Sequence, residues 1–488
     1  MRDGGVGEAG PLRTVAVVGG GLSGTLFALK LSRARPDLRI VIVDEARRAG
    51  RGLAYGACSP FHLLNVPVSR METGLQPHFI DWLAERPEAI RDALAESDGD
   101  LAAAFVQRTL FGHYLEARLA DARATGQSTG VHVVRGRAVA ALGDGRRGIR
   151  LEDGRTIEAG AVVLATGNLP PGRPGRTDAW FYDTPLFTPD PWAADAFDDL
   201  DPTAPVVLVG TGLTMVDVAL KLADLGHTGS MLAVSRRGLV PKAHRAGGAW
   251  PPFLGAHIGE RPLALLRRIR AEVAAAEATG APWQRVFDAA RPAVAVIWSR
   301  WSLAERRQFL RHLRARWDVH RHRTAPRIDA ALQALRSRGQ LQIKAARLAG
   351  FTVQGDRAQV RLKARGGGET LVSAARVINC TGPASALDQL ALPLIESLRA
   401  QGLIKPDVLG LGLESNDCAV IEAGGAISSW LYALGPLTRP AWWEITATPE
   451  IVVQVDRLVA RLKDEGVAAG PVSGGDAALA FLDLGAGI

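Results

Sequence analysis

The apolar pattern near the start of the chain predicts a strand, a tight turn, a helix and a second strand. A run of four apolar residues, 15–18, leads into three glycines, and leucines then recur at helical spacing from Leu22 to Leu31. A second apolar run, 40–43, ends at Asp44. This order of elements is typical of a parallel β-α-β unit.

The three glycines, Gly19, Gly21 and Gly24, have the G-x-G-x-x-G spacing of a dinucleotide-binding turn. Such glycines permit the tight turn, the approach of the backbone to a pyrophosphate and the packing of helix on strand. Asp44 would then accept hydrogen bonds from the adenosine ribose, which favours an unphosphorylated ribose. With NADPH predicted in the second unit described below, the first unit is predicted to hold FAD. Ser23 and Glu45 are further candidate contacts. The alternative is an ordinary β-α-β turn without a ligand.

A second unit of the same kind begins at residue 206. Its strand, 206–209, enters Gly210 and Gly212, and Met215 stands where the third glycine would be. Asp44 lies 25 residues after Gly19, and Ser235 lies 25 residues after Gly210. The acid is therefore replaced by Ser235, Arg236 and Arg237.

Guanidinium groups at that place pair with a 2′-phosphate, which predicts NADPH in the second unit. The alternative is that the arginines are solvated loop charges. The candidate contacts of this second cofactor are Gly210, Gly212, Leu213, Thr214, Ser235, Arg236 and Arg237.

Two further apolar strands end in Thr-Gly, at Thr166-Gly167 and at Thr381-Gly382. We interpret them as the two crossings of a discontinuous FAD-binding domain, 13–170 and 375–488. The inserted NADP(H)-binding domain would be 171–374, with a helical segment at about 258–340. The predicted fold class is α/β with two Rossmann-type domains, and Thr166, Gly167 and Gly382 are added to the cofactor-binding candidates.

Several short motifs resemble those of bacterial FAD/NAD(P)-binding oxidoreductases. They are GLAYG at 52–56, HLLNVP at 62–67, GTGLTMVD at 210–217, SRRG at 235–238 and WDVHRHR at 317–323, with a closing GP and WE segment at 435–444. The chain is more distantly similar to NADPH-dependent flavin monooxygenases, including N-hydroxylating enzymes. The resemblance implies FAD and NADPH as cofactors.

The loop after Asp44 is predicted to run under the flavin ring, with Gly52 and Tyr55 as contacts. Asn65 is a candidate catalytic residue because its amide can meet the reactive edge of the ring. His62 is a second candidate, although it can instead cap a turn.

The segment from Gly435 to Thr446 is predicted to lead into the last long helix, whose N-terminus would face the flavin. Gly435 and Thr446 are candidate contacts, Trp443 is a candidate catalytic residue and Glu444 a pocket residue. Tryptophans beside proline also occur as plain core.

In the insertion, Trp301, Phe309, Leu313 and Trp317 fit one face of a helix and are predicted to be core. His320, Arg321, His322 and Arg323 follow, and they are either an anion site for substrate or NADP phosphates or a solvated helix end. Lys242 and His244 are similar candidates near the pyrophosphate or nicotinamide.

Composition narrows the class of protein. The chain has 488 residues, 58 basic and 50 acidic, for a net charge of +8. The basic residues are spread along the chain without the basic arm or stripe of a nucleic-acid binder, so no nucleic-acid partner is predicted.

Cys58, Cys380 and Cys418 are too few and too scattered for a disulfide framework, a zinc site or dithiol chemistry. Without a signal peptide or an apolar span, the prediction is a cytoplasmic protein that binds no membrane.

The preferred hypothesis is an FAD-dependent, NADPH-linked flavin monooxygenase that acts on a small molecule, with N-hydroxylation as one form and an anionic substrate as one option. The alternatives are an NADPH-dependent flavin reductase or dehydrogenase without oxygenation, and a non-enzymatic redox-sensing flavoprotein. The sequence leaves the substrate and the oligomeric state open.

Overall fold

The computed structural model describes residues 14–46, 49–56, 59, 61–123, 129–143, 145–175 and 177–464. Its strands are β1 (Thr14–Val18), β2 (Arg39–Asp44), β3 (Gly130–Arg135), β4 (Ala138–Ala141), β5 (Gly148–Leu151), β6 (Thr156–Glu158), β7 (Ala161–Leu164), β8 (Phe187–Thr188), β9 (Val206–Val209), β10 (Met231–Ser235), β11 (Leu341–Gln354), β12 (Arg357–Ala364), β13 (Glu369–Ala374), β14 (Arg376–Asn379), β15 (Ser415–Asn416), β16 (Ala419–Ile421) and β17 (Ile427–Ala433). Its helices are α1 (Leu22–Ala34), α2 (Gly52–Gly56), α3 (Phe79–Ala84), α4 (Pro87–Glu96), α5 (Arg108–Arg123), α6 (Leu213–Asp224), α7 (Pro262–Ala278), α8 (Trp283–Ala290), α9 (Val294–Arg300), α10 (Leu303–His312), α11 (Arg314–Arg321), α12 (Pro326–Ser337), α13 (Pro393–Ala400) and α14 (Thr448–Lys463).

The first sheet has β1 near its centre, in the order β15-β16-β17-β7-β1-β2-β3. The pairs of β1 with β2 and β7, β2 with β3, and β7 with β17 are parallel. Val15 and Val17 pack in one core with α1, α5 and α14, while Ala16 and Val18 pack in another with α13 and the β4–β5–β6 sheet. Because both faces are covered, β1 is apolar throughout instead of alternating.

The second sheet has the order β13-β12-β11-β10-β9-β14-β8. The strands β8, β14, β9, β10 and the start of β11 run parallel, and β11, β12 and β13 form an antiparallel extension. One face packs against α6 and α12, and the other carries Phe181, Tyr182 and Phe351. Two parallel, dinucleotide-type folds are therefore present, and the predicted fold class is confirmed.

The pairing of β14 differs from the expectation drawn from the two Thr-Gly strand ends. β14 pairs with β9 and β8 in the second sheet, so the strand before Thr381-Gly382 is not a crossing into the first sheet. In this register Val377 and Ile378 of β14 lie beside the apolar Val207 and Leu208 of β9. A boundary at 375 would cut this sheet, and the division into domains stays a prediction. Residues 13 and 465–488 of the predicted first domain lie outside the described residues, as does Cys58.

The helical segment predicted at about 258–340 contains α7 to α12, between β10 and β11. Trp301, Phe309, Leu313 and Trp317 do not share one helix, however, because α9 ends at Arg300, α10 spans 303–312 and α11 begins at Arg314. The capping box of Ser302 and Glu305 starts a new helix directly after Trp301. None of the described helices is long and apolar enough to cross a membrane.

Candidate functional site

The first glycine turn connects β1 to α1 at the carboxyl edge of the first sheet. Gly19 has a φ of +106°, and a Cβ there would overlap the carbonyl oxygen of Ala165, so this position requires glycine. A Cβ at Gly24 would overlap the carbonyl oxygen of Gly19. The helix follows Gly21 without a side-chain cap, which leaves backbone N–H groups at its positive end available to a phosphate.

Asp44 fixes this turn from the end of β2. Its carboxylate accepts the backbone N–H of Gly20 at 2.5 Å and that of Ala46 at 2.7 Å. A carboxylate has acceptor capacity beyond two bonds, so ribose hydroxyls can still bind it. Glu45 differs, because its exposed carboxylate lies 3.5 Å from Arg137.

Two loops close around the turn. Gly52 has a φ of +56°, and a Cβ there would lie 2.9 Å from the Cα of Gly21. Tyr55, one turn later in α2, packs its ring on Phe111 at 4.9 Å. On the other side, a Cβ at Gly435 would lie 3.0 Å from the Oγ of Ser23. The structure therefore brings Ser23, Gly52 and Gly435 together with the glycines.

Gln454 holds the Gly435 loop in place, a role that the sequence analysis missed. Its Oε1 accepts the backbone N–H of Gly435 at 2.7 Å, and its Nε2 donates to the Oγ1 of Thr438 at 2.7 Å. A polar residue inside the apolar face of α14 is the signal that could have indicated it.

The end of β7 completes the arrangement. A Cβ at Gly19 would lie 3.2 Å from the Cα of Thr166. The Oγ1 of Thr166 is buried and has no hydrogen-bond partner among the described residues, and a Cβ at Gly167 would meet nothing within 4 Å. A buried polar group without a partner beside open space fits a bound polar ligand. The residues at this edge thus fit a dinucleotide.

The second turn repeats this geometry with other side chains. Gly210 has a φ of +120°, and a Cβ there would overlap the carbonyl oxygen of Cys380. Gly212 faces open space, and so does Gly382 after β14. Leu213 and Thr214 open α6. The Oγ of Ser235 lies 2.8 Å from the Oγ1 of Thr211 and accepts the backbone N–H of Gly238 at 3.0 Å.

The two arginines after Ser235 have different surroundings. Arg236 is exposed, whereas the Nη2 of Arg237 donates to the carbonyl oxygen of Arg311 at 2.9 Å. Burial and the neighbouring Arg236 lower the pKa of Arg237 below its ordinary value. The guanidinium of Arg236 is therefore more accessible than that of Arg237 to the phosphate of a ligand that binds from solvent.

His62 and Asn65 lie between the two folds. The Nδ1 of His62 accepts the backbone N–H of Ser59 at 3.1 Å, and its Nε2 lies 3.2 Å from the carbonyl oxygen of Asp217 in α6. Burial lowers the pKa of His62, so the ring is neutral. The carbonyl oxygen of Asn65 accepts a hydrogen bond from the Nε2 of His244 at 2.9 Å. These contacts join the folds, and the catalytic roles of both residues stay predictions.

Burial also lowers the pKa of His244 to about 4, so it too is neutral. A nearby pair that the sequence analysis missed has the same joining role, since the guanidinium of Arg108 binds the carboxylate of Asp217 at 2.8 and 3.3 Å. An acid within the apolar run of α6 is the signal that indicates such a buried partner. Lys242 is exposed.

Unlike Gly435, the later residues of the closing segment pack against the helical segment or face solvent. Trp443 is 2 % exposed and stacks on Trp298 of α9 with ring centroids 4.6 Å apart. Thr446 is exposed, and its backbone N–H bonds to the carbonyl oxygen of Glu444. The structure does not bring Trp443 or Thr446 against the glycines, and their predicted roles remain predictions.

The basic cluster after Trp317 is directed inward, onto carboxylates. Arg321 pairs with Glu444 at 3.1 Å, and Arg291 binds both oxygens of Glu450 at 2.6 Å. Arg323 pairs with Asp288. Since these guanidiniums already have acidic partners within the chain, the cluster acts as an internal ion network, and neither a free anion site nor a solvated helix end describes Arg321 and Arg323.

Glu444 is charged within this network. Burial alone would raise the pKa of its carboxyl, but the charge of Arg321 and the indole N–H of Trp317 hold that pKa below its ordinary value. Burial lowers the pKa of His322. The network thus ties α11 to the segment that enters α14.

Comparison with known proteins agrees with this geometry. Residues 16–169 match a family model described as FAD-NAD(P)-binding, which covers the first turn and both strands beside it. No curated protein sequence matches the chain.

Three solved structures share the fold across almost the whole chain. An ornithine N-hydroxylase from Kutzneria sp. 744, solved with reduced FAD, NADP⁺ and L-ornithine, is 16% identical and covers 94% of this chain and 100% of its own, with a TM-score of 0.61. An L-lysine 6-monooxygenase from Pseudomonas syringae is 16% identical over 92% of this chain and 98% of its own, with a TM-score of 0.61. A cadaverine monooxygenase from Erwinia amylovora, bound to FAD, is 11% identical over 95% of this chain and 97% of its own, with a TM-score of 0.63. At these identities the likeness concerns the fold, and the predicted likeness to flavin monooxygenases is confirmed at that level.

Proposed function

We propose that the chain is an FAD-dependent, NADPH-linked flavin monooxygenase that acts on a small organic molecule, with a nucleophilic nitrogen as the group that is hydroxylated. One observation carries the proposal: two glycine turns of matching geometry end in an acid, Asp44, in the first fold and in Ser235 and Arg236 in the second. An acid suits an unphosphorylated ribose and an arginine suits a 2′-phosphate, so the pair fits FAD with NADPH.

The residues of the first turn would hold FAD. Backbone N–H groups at the start of α1 would bind the pyrophosphate, Asp44 the ribose, and Thr166, whose Oγ1 is buried and free among the described residues, a polar group of the cofactor. FAD supplies a ring that accepts hydride and reacts with oxygen, which no side chain can do. Gly52 and Gly435 would keep their loops close around the turn.

In the second turn Arg236 would select NADPH over NADH. Ser235 is already bonded to Thr211 and Gly238, so it would shape the turn while Arg236 provides the charge. His62, His244 and the Arg108–Asp217 pair would keep the two cofactor sites in register.

A cytoplasmic location is also proposed. It is supported by the three cysteines, which are too few and too scattered for a disulfide framework.

The nitrogen specificity rests on the fold shared with N-hydroxylating enzymes, whose structures carry the names of ornithine, lysine and cadaverine. To test it, the purified protein is examined for a flavin spectrum, and oxygen uptake with NADPH or NADH is followed in the presence of L-ornithine, L-lysine or cadaverine. We expect NADPH to be preferred. With an accepted amine, we expect hydroxylated product to replace hydrogen peroxide.

Other results would contradict parts of the proposal. A protein without flavin would contradict the assignment of the first turn. Hydrogen peroxide formed mole for mole with NADPH, for all amines, would contradict N-hydroxylation of these compounds and favour the flavin reductase. No NADPH oxidation by flavin-loaded protein would favour a redox sensor.

A further inference from the structure

A large cavity lies within the helical segment, apart from both glycine turns. It is partly open to solvent, measures about 710 Å³ and is lined mainly by side chains of α7, α8, α9, α10 and α11, together with Trp301 and Trp443. Packed protein interiors leave few voids larger than a water molecule, whereas sites for organic ligands measure about 300–1,000 Å³. The size therefore fits a ligand site better than a packing defect.

The wall of the cavity is aromatic and fixed. Five of the eleven tryptophans of the chain line it: Trp283, Trp298, Trp301, Trp317 and Trp443. This concentration marks the cavity as an apolar, ring-lined site.

Three of these indoles are anchored through their N–H groups. Trp298 donates to the carbonyl oxygen of Pro440 at 2.9 Å, Trp301 to that of Glu260 at 2.9 Å, and Trp317 to the Oε1 of Glu444 at 2.8 Å. Because these N–H groups are hydrogen-bonded within the protein, the rings contribute apolar surface to the cavity. Their orientation is fixed, so they lose little conformational freedom when a ligand binds.

The wall opposite the tryptophans is formed by α7, whose apolar face is only partly covered by other side chains. Leu266, Ile269, Arg270 and Val273 follow each other at helical spacing along α7, and all four line the cavity. The three apolar side chains are only partly buried. A ligand between α7 and the tryptophans would remove this apolar surface from water, which is favourable.

Charge at the cavity favours an acid. Arg270 and Arg316 line it and are exposed, and no ion pair of either is found among the described residues. One carboxylate, Glu277, lines it as well, about 10 Å along α7 from Arg270. His320 presents its ring, which stacks on Phe287 with centroids 5.1 Å apart, while its Nδ1 lies 2.7 Å from the carbonyl oxygen of Arg316.

We propose that this cavity binds a hydrophobic organic acid, whose apolar body lies between α7 and the tryptophans and whose acidic group pairs with Arg270 and Arg316. The ligand differs in kind from a small polar amino acid. The inference concerns equilibrium binding, so it holds or fails independently of the oxygen chemistry proposed above.

The probe for the first test is 1-anilinonaphthalene-8-sulfonate, an aromatic acid that becomes fluorescent in apolar sites. We expect the full-length protein to bind one molecule per chain, with energy transfer from tryptophan. Ala274→Trp places an indole in the cavity, and Ala275→Trp is its matched control, because Ala275 is exposed on the same helix and does not line the cavity.

We expect Ala274→Trp to weaken binding at least about tenfold, a change of about 1.4 kcal/mol, and Ala275→Trp to leave it unchanged. Circular dichroism checks that both variants are folded. Absent binding to the wild type, or equal binding by wild type and both variants, would overturn the site.

The second test concerns the acid. The double variant Arg270→Gln and Arg316→Gln is expected to bind the sulfonate about tenfold more weakly, while the neutral analogue N-phenyl-1-naphthylamine binds as before. Arg267→Gln, an exposed position on α7 outside the cavity, is the control. Equal losses for both probes, or none, would overturn the role of the arginines.

Discussion

The two glycine turns share one backbone and differ in what surrounds it. In both, the first glycine has a positive φ and leaves no room for a Cβ against the carbonyl oxygen that ends the neighbouring strand, Ala165 in one and Cys380 in the other. Five positions after that glycine, the first turn has Gly24 and the second has the fully buried Met215. The turn itself therefore tolerates no change, whereas the helix can pack on its strand in two ways.

The residue that ends the second strand of each unit also fixes its turn by hydrogen bonds, but it uses a different side chain in each unit. Asp44 accepts backbone N–H groups, and Ser235 bonds a hydroxyl and an N–H group. The difference lies in the charge left over, which is negative at Asp44 and positive at the adjacent Arg236. Similar geometry can thus serve two dinucleotides because selection depends on one or two side chains outside the turn.

The packing difference has the largest expected effect. Gly24→Ala puts a Cβ onto the carbonyl oxygen of Gly19, and we expect it to lower the free energy of unfolding by about 3 kcal/mol, because backbone cannot yield as a side chain can. Gly212→Ala, with a φ of −84° and open space around it, should leave stability unchanged. Urea unfolding of both variants measures this, and equal stabilities would show that the first helix can shift outward.

The second-largest effect is expected from changing the charge at the first turn. Asp44→Arg removes the acceptor of two backbone N–H groups and the proposed ribose partner. Since hydrogen bonds to charged groups contribute about 1.5–3 kcal/mol, we expect flavin retention to weaken by about a hundredfold. Flavin absorbance after dialysis reports it, with Ser235→Arg as the control at the second turn. Unchanged flavin content in Asp44→Arg would contradict the role of Asp44.

The contacts between the two folds predict a dependence on pH. The pKa of His244 is about 4 in the folded protein and 6.5 in its ordinary state, so the unfolded chain binds a proton between these values that the folded chain does not. Stability is therefore lost as pH falls from about 6.5 to 4, by about 3 kcal/mol from this residue. Burial lowers the pKa of His62 as well, which adds loss in the same direction.

His244→Gln keeps a donor for Asn65 and removes the titration, so its stability should fall less over this window than that of the wild type. Thermal unfolding at pH 7, 6, 5 and 4 makes the comparison. Parallel curves for the two proteins would show that other groups determine the acid sensitivity.

The smallest expected effect concerns coenzyme choice at the second turn. Arg236→Ala should raise the KM for NADPH about tenfold and leave that for NADH nearly unchanged, since one charge-assisted pair is lost. Arg237→Ala should have less effect, because its guanidinium is bonded to the carbonyl oxygen of Arg311. Initial rates with both coenzymes decide between the two arginines, and equal effects on NADPH and NADH would contradict the role of Arg236.

The sequence by itself determined the two dinucleotide turns, because the pattern that predicts each of them lies within about 30 residues. Local rules set the apolar strand, the spacing of the glycines and the polar residue that ends the next strand, and the observed bounds of β1 and β9 follow the prediction closely. The carbonyl oxygens that leave no room for a Cβ, those of Ala165 and Cys380, come from distant segments. Gly52 and Gly435 were predicted as cofactor contacts from their motifs, and the structure places both beside the first turn. Gln454, which fixes Gly435, was not predicted.

Only the tertiary structure decided what depends on distant pairing. β14 pairs with Val206–Val209 in the second sheet, a distant pairing that its own residues do not specify. Arg321 and Arg323 became internal because Glu444 and Asp288 reach them from other segments. Trp301 and Trp317, predicted as core, do pack against the buried cluster of Trp298, Phe309, Leu411 and Trp443, but they also line a cavity. That cavity depends on how α7 meets α8 to α11, which no local pattern records.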